Sequence, residues 1–132
     1  MKFKLNYKQY SDFLNLTNDV FYPLKNFVTK NEFTFILKRK IFNKKFFPFP
    51  IFFGLSRNQF KKIKNKKNLI LVYKSKKIAQ IDKLDFFHIS YDLFGKKIFG
   101  KNFVNHPYYK VFKKENHIFL NFNIKKKYKE QN

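Results

Sequence analysis

Cysteine is absent from the 132 residues, which removes disulfides, thiolate nucleophiles and thiolate metal sites together. Tryptophan is absent as well, methionine and alanine occur once each, and there are 3 glycines and 4 prolines. The glycines, Gly54, Gly95 and Gly100, are not spaced as a loop whose amides cradle a phosphate ahead of a helix, so the common nucleotide-binding loops are excluded. Negative charge is scarce: 8 Asp plus Glu stand against 30 Lys plus Arg, for a formal net charge of +22. The longest apolar run, residues 46–55, is interrupted by Pro48 and Pro50 and falls well short of the ~20 residues that cross a bilayer. The N-terminal stretch alternates Lys with Phe, Leu and Tyr and has no apolar core of the kind a secretory signal needs. These absences predict a protein of the cytoplasm, or of an organelle interior if organelle-encoded.

What is abundant is aromatic and basic. There are 21 Phe and 8 Tyr, and the 44% hydrophobic content argues for a folded core, because disordered chains combine high charge with too little apolar surface to offset ordering entropy. Phe, Tyr, Ile, Asn and Lys all have A/T-rich codons, so genome composition accounts for part of the bias. It does not account for the lysine excess, since Asp and Glu codons tolerate A/T enrichment almost as well. A surface this positive attracts polyanions over about 8 Å at physiological salt. Nucleic acid or an anionic membrane surface is the implied partner, and one domain is implied by the length.

Along the chain, residues 11–27 are rich in cap and turn formers and predict one short helical turn followed by a loop. Thr29 and Glu32 have capping-box spacing and predict a helix over 30–39 with Phe33, Ile36 and Leu37 inward. Residues 46–55 predict a strand whose start is unpaired or bulged at the two prolines. Ser56 and Gln59 repeat the capping box and open a short helix with Phe60 and Ile63 inward. Residues 69–73 and 77–81 predict a hairpin through Lys74, Ser75 and Lys76. Gly95 and Gly100 suggest turns, and residues 117–124 alternate as a final strand. Together these predict an α+β fold, a small mixed sheet or partly closed β-barrel with two or three short helices. The domain is expected to span 1–124, with a mobile basic tail over 125–132.

Three stretches resemble the N-terminal domain of ATP sulfurylase, a module with a PUA-like barrel fold. The first is Asp19-Val20-Phe21-Tyr22-Pro23-Leu24-Lys25-Asn26-Phe27 with Glu32-Phe33 beyond it, similar to the family's Gly-Gly-Phe-Ser-Pro-Leu-x-Gly-Phe signature. The second is Phe47-Pro48-Phe49-Pro50-Ile51, similar to a Trp-Pro-Ile-Pro-Ile strand. The third is the later hairpin, followed by Phe99-Gly100 and His106-Pro107. The resemblance implies a PUA-like mixed β-barrel in which Phe21, Pro23, Leu24, Phe27, Pro48, Pro50, Gly100, His106 and Pro107 are structural. All three signature glycines are replaced, at Asp19, Val20 and Asn26, which puts any left-handed turn they allowed in question. The family's catalytic domain and its Gln-x-Arg-Asn-x-x-His motif have no counterpart here. Arg57-Asn58 is a fragment of that motif with Leu55 and Lys61 at the flanking positions, and it reads as a capped helix start.

No catalytic residue, cofactor or metal is expected. His88, His106 and His117 are too scattered in sequence for a ligand motif. Asp82 and Asp85, if helical, share a face, but solvation or pairing with Lys83 accounts for them; Asp12 and Asp19 read as caps. The basic clusters are Lys61, Lys62, Lys64, Lys66 and Lys67; Lys74, Lys76 and Lys77; Lys96 and Lys97; Lys113 and Lys114; and Lys125, Lys126, Lys127 and Lys129. Exposed Tyr73, Tyr108, Tyr109 or Tyr128 would add stacking surfaces. Only Arg39 and Arg57 are arginines, so the expected binding is sequence-tolerant and salt-sensitive. The implied functions are a stand-alone module binding RNA or another polyanion, an accessory subunit of a separately encoded ATP sulfurylase catalytic chain, or a basic organellar ribosomal protein.

Overall fold

A computed structural model describes residues 1–129. Five strands, β1 (Lys2–Lys4), β4 (Gly54–Leu55), β5 (Asn68–Tyr73), β6 (Lys76–Phe87) and β7 (Ile118–Lys127), form one curled mixed sheet in the order β1-β5-β6-β7-β4. β1 runs parallel to β5 and every other pairing is antiparallel. A second sheet is the small hairpin β2 (Ile41–Phe42) and β3 (Lys45–Phe46). Around them lie α1 (Tyr7–Thr17), α2 (Lys30–Arg39), α3 (Arg57–Ile63), α4 (Tyr91–Phe99) and α5 (Pro107–Glu115). The α+β, half-barrel architecture agrees with the expectation, but the helices number five among the described residues rather than two or three.

Three helices start on reciprocal capping boxes, in which an N-cap side chain takes an orphan amide and an N3 side chain returns to the cap amide. Thr29 with Glu32 and Ser56 with Gln59 do so as expected. Asn6 with Gln9 is the third, and it turns the anticipated short turn near Ser11 into an eleven-residue helix beginning at Tyr7. The region after Asp82 is expected to turn at both Gly95 and Gly100. It contains α4 and α5 instead, and Gly95 sits inside α4 because Phe103 packs where its Cβ would be, 2.3 Å away. Gly100, with φ of 86°, does end that helix. Asp82 and Asp85 lie on strand β6, not on a helix, and Asp82 accepts from Asn123 Nδ2 at 2.9 Å.

The expected strand over 46–55 is mostly irregular backbone. The prolines remove two amides, and between β3 and β4 the chain is fastened by Val28 N to Ile51 O at 3.0 Å and Leu120 N to Phe53 O at 2.9 Å. Phe52 and Phe53 from this segment nevertheless enter the core. There Phe33, Phe52, Phe94, Phe112 and Phe119 form a ring cluster, with Phe94 and Phe112 stacked at 4.0 Å and Phe52 edge-on to Phe119 at 5.2 Å. Two asparagine amides strap the layers together: Asn26 Nδ2 donates to Phe122 O at 2.6 Å and Asn121 Nδ2 to Phe27 O at 2.8 Å.

The expected boundary at 124/125 falls inside β7. Lys126 and Lys127 pair with Gln80 and Ala79 of β6, and Tyr128 N donates to Ile78 O at 3.0 Å, so the basic run is strand rather than free tail as far as Tyr128. Residues 130–132 of that expectation lie outside the described residues. Among the described residues no helix is long and apolar enough to cross a membrane.

Candidate polyanion-binding face

Two lysine clusters far apart in sequence meet at one end of the sheet. The first is built by the β5–β6 hairpin, whose two turn residues, Lys74 and Ser75, both adopt left-handed backbone at φ 49° and 67°. That is the geometry whose twist matches a two-residue hairpin. It delivers Lys76 and Lys77 at the start of β6. The second cluster arrives on β7, antiparallel to β6, through the pairs Gln80 with Lys126 and Ala79 with Lys127. A register shift lies between Gln80 and Ile81, where β7 carries one more residue than β6, and Lys125 is exposed there.

Helix α1 crosses this end of the sheet. The Tyr10 ring stacks on Tyr73 at 4.0 Å between centroids and 10° between planes, fixing the helix against the hairpin. Between them runs a groove of about 920 Å³. Its α1 wall is Tyr10, Phe13, Leu14 and Thr17, and its other wall carries Lys76, Lys77, Lys127, Tyr128 and Lys129. Lys126 Nζ lies 5.0 Å and Lys77 Nζ 5.8 Å from the Tyr128 centroid, so both ammonium groups are within cation–π range of this ring. Among the described residues no carboxylate lines the groove, and the one ion pair, Lys8 with Asp12, is elsewhere.

The other predicted lysines do not join this site. Lys61 and Lys62 occupy the last turn of α3, and Lys64, Lys66 and Lys67 the loop that precedes β5, all exposed. They stand at the opposite end of β5 from Lys74, roughly 20 Å away along a six-residue strand. Lys96 with Lys97 and Lys113 with Lys114 lie in the last turns of α4 and α5. Of the tyrosines, Tyr109 is buried and has no free face, Tyr108 is exposed away from the groove, Tyr128 lines it, and Tyr73 backs it through the stack with Tyr10. Tyr10 was not anticipated, because its part in the site depends on the helix that the Asn6 box starts.

The residues that carried the family resemblance have structural positions. Leu24, Phe27 and Pro50 are buried, Phe21 and Pro23 half-buried, and Pro48 exposed. His106 caps α5 by accepting from Tyr108 N at Nδ1, 3.1 Å, with Pro107 at the first helical position where a missing amide costs nothing. Asp19 keeps a left-handed backbone, φ 60°, at a signature glycine position, whereas Val20 and Asn26 do not adopt one. Folding brings His88 and His117 edge-on at 6.2 Å between rings. Burial, with help from Arg57 and His88, lowers the His117 pKa, and burial raises those of Tyr91 and Tyr109. Among the described residues no group of three or more His, Cys, Asp or Glu converges.

A family model described as a PUA-like domain matches residues 1–125. No curated protein matches the chain.

Proposed function

The chain belongs to the PUA-like domain family, and on that footing we propose a non-catalytic binding module that holds single-stranded RNA along the groove between α1 and the paired ends of β6 and β7. The observation that carries this reading is the apposition of Lys76, Lys77, Lys127 and Lys129 with the Tyr10–Tyr73 stack and Tyr128, with no carboxylate among them. Ammonium groups track a phosphate backbone, while ring faces accept bases of any identity at about 1–3 kcal/mol each. RNA binding is common among PUA-like domains, which supports the choice of polyanion. Lysine in place of arginine supports sequence tolerance, since a compact ammonium lacks the planar fork that reads guanine.

Ultraviolet cross-linking to oligouridylate, followed by peptide mass spectrometry, tests the placement. Adducts are expected on Tyr10, Tyr73 or Tyr128; adducts confined to residues 61–67 would overturn it. The non-catalytic part is tested by adding adenylyl sulfate and pyrophosphate, where measurable ATP release would refute it.

A second reading, an accessory subunit of a separately encoded ATP sulfurylase catalytic chain, is favoured by a different surface. Val20 and Tyr22, in the stretch that resembles the family signature, are 62% and 56% exposed, and Phe46 on the neighbouring hairpin is 77% exposed. Lys45 Nζ lies 4.7 Å from the Tyr22 centroid and links the two segments. Co-purification with such a catalytic chain that is lost on Phe46→Ser would support this reading over the first.

A further inference from the structure

A second cleft, of about 660 Å³, opens between the first turns of α1 and the α4–α5 pair, and it shares no residue with the lysine groove. Its walls are rings: Tyr7 and Tyr108, 72% and 62% exposed, Phe49 at 37%, and Phe52 and Phe112 beneath them. Two of the chain's 8 acidic residues, Asp12 and Glu115, line it. With Lys8 the one cationic side chain in its lining, the cleft carries more negative than positive charge in a chain of net +22.

A cation already occupies part of this cleft. Lys8 Nζ sits 2.7 Å from Asp12 Oδ2 and 4.9 Å from the centroid of the Phe52 ring, so the protein's own ammonium satisfies both the carboxylate and the aromatic face. That pairing is the physical basis of cation recognition by aromatic sites. The Lys8 side chain is 62% exposed and reaches the position from solvent. It is therefore a resident group that another cation can displace.

The chemistry of the displacing cation follows from what else faces the cleft. Its amide side chains and Ser56 already have partners within the protein. Gln9 donates to Gly54 O at 2.8 Å and accepts from Asn6 N at 3.0 Å; Asn116 donates to Phe112 O at 3.0 Å; Ser56 and Gln59 cap each other's amides. Glu115 has no ion pair among the described residues. Ring faces, the exposed Tyr7 and Tyr108 hydroxyls and a carboxylate remain, and the negative charge disfavours a phosphate. They fit a bulky, weakly hydrated cation with no N–H to satisfy. We propose that this cleft binds a quaternary ammonium head group, taking over the Phe52 face and the Asp12 carboxylate from Lys8 with Glu115 as the second counter-charge.

The full chain is titrated with choline and with a peptide bearing trimethyllysine, two sources of the same head group, and with the neutral isostere 3,3-dimethylbutan-1-ol. Ring-proton shifts of Tyr7 and Tyr108 report occupancy. At least one cation is expected to bind about tenfold more tightly than the isostere, the preference that a cation over ring faces confers. Binding by choline identifies a free small molecule, and binding by the peptide alone identifies a modified side chain. Lys8→Met, which removes the resident ammonium, is expected to tighten binding severalfold, and the Asp12→Asn, Glu115→Gln double variant to abolish the preference for charge. Equal binding of the isostere by the unmodified protein overturns the proposal without reliance on any variant. So does loss of binding in Lys8→Met, retained cation preference in the double variant, or no binding of either cation. RNA binding is expected to be unaffected by these substitutions, because the two linings share no residue, so the two sites fail or succeed separately.

Discussion

Replacing Lys76, Lys77 and Lys127 by Gln is expected to change the salt dependence of RNA binding as well as its strength. Four lysines rim the groove, Lys76, Lys77, Lys127 and Lys129, and no ion pair among the described residues engages any of them. On a single strand each neutralised phosphate contributes about 0.7 to the slope of log affinity against log salt. Engagement of all four corresponds to a slope of about −2.8, and so to a roughly 50-fold loss of affinity between about 50 and 200 mM salt. The triple variant keeps one lysine, a slope of about −0.7, and a loss of roughly 2.6-fold over the same interval. The decisive control is Lys61→Gln, Lys62→Gln, Lys64→Gln, which removes equal charge from the opposite end of β5. Its slope is expected to remain near that of the unmodified protein. Anisotropy titrations of a labelled oligouridylate at several salt concentrations read all three slopes. Identical slopes for the two triple variants would refute the reasoning, because binding would then follow bulk charge and not the groove.

Two further outcomes test the fold around the sites. Gly95→Ala inside a helix ordinarily stabilises by about 1 kcal/mol, but here the new methyl meets buried Phe103 at 2.3 Å, and such overpacking costs about 1–3 kcal/mol. A lowered Tm is expected, with partial recovery in a Phe103→Leu background; a raised Tm would contradict the contact. For His117, burial first, then Arg57 and His88, depress the folded pKa below the ordinary 6.5. The unfolded chain therefore binds more protons between those two values, and stability is full above about pH 6.5 and falls as pH drops toward the folded pKa. Urea unfolding across that window should show a shallower pH slope for His117→Gln, and an unchanged slope would remove His117 as the cause.

What was legible in the sequence was local chemistry with a short-range signature. Thr29 with Glu32 and Ser56 with Gln59 announced two helix starts by spacing alone, and the 69–81 hairpin followed from two apolar runs around a tight turn. The same rule applied to Asn6 and Gln9 finds α1, whose start lies inside the stretch where Lys alternates with Phe, Leu and Tyr. Helix α5 carried a usable signal in His106 followed by Pro107, a cap and a first-position proline. Helix α4 carried one too, in the Ser90 cap with Asp92 in the first turn, but Gly95 lowers helix propensity and is accommodated because Phe103, eight residues on, occupies the vacated space. Likewise Lys125, Lys126 and Lys127 look like a solvated tail until β6, twelve residues long, is seen to pair with Lys126 and Lys127. The candidate groove was half visible: its lysines were named, but their union with Tyr10 depends on contacts between residues about 65 and 115 positions apart, which no periodicity encodes.

The distribution of charge separates two uses of lysine that composition merges. Lys38 and Arg39, Lys61 and Lys62, Lys96 and Lys97, and Lys113 and Lys114 all fall in the last turns of helices, where cations offset the negative end of the helix dipole by about 0.3–1 kcal/mol each. Those residues have a structural reason to be basic and need no partner. The lysines at the joined ends of β6 and β7 have no such compensation. They converge on one groove from adjacent strands, with no carboxylate among its described lining residues, and like charges so gathered repel. Uncompensated repulsion lowers folded stability unless an anion relieves it, and a strand of phosphates in the groove would do so. This is why the face at the sheet end, and not the net charge of the whole chain, carries the functional reading.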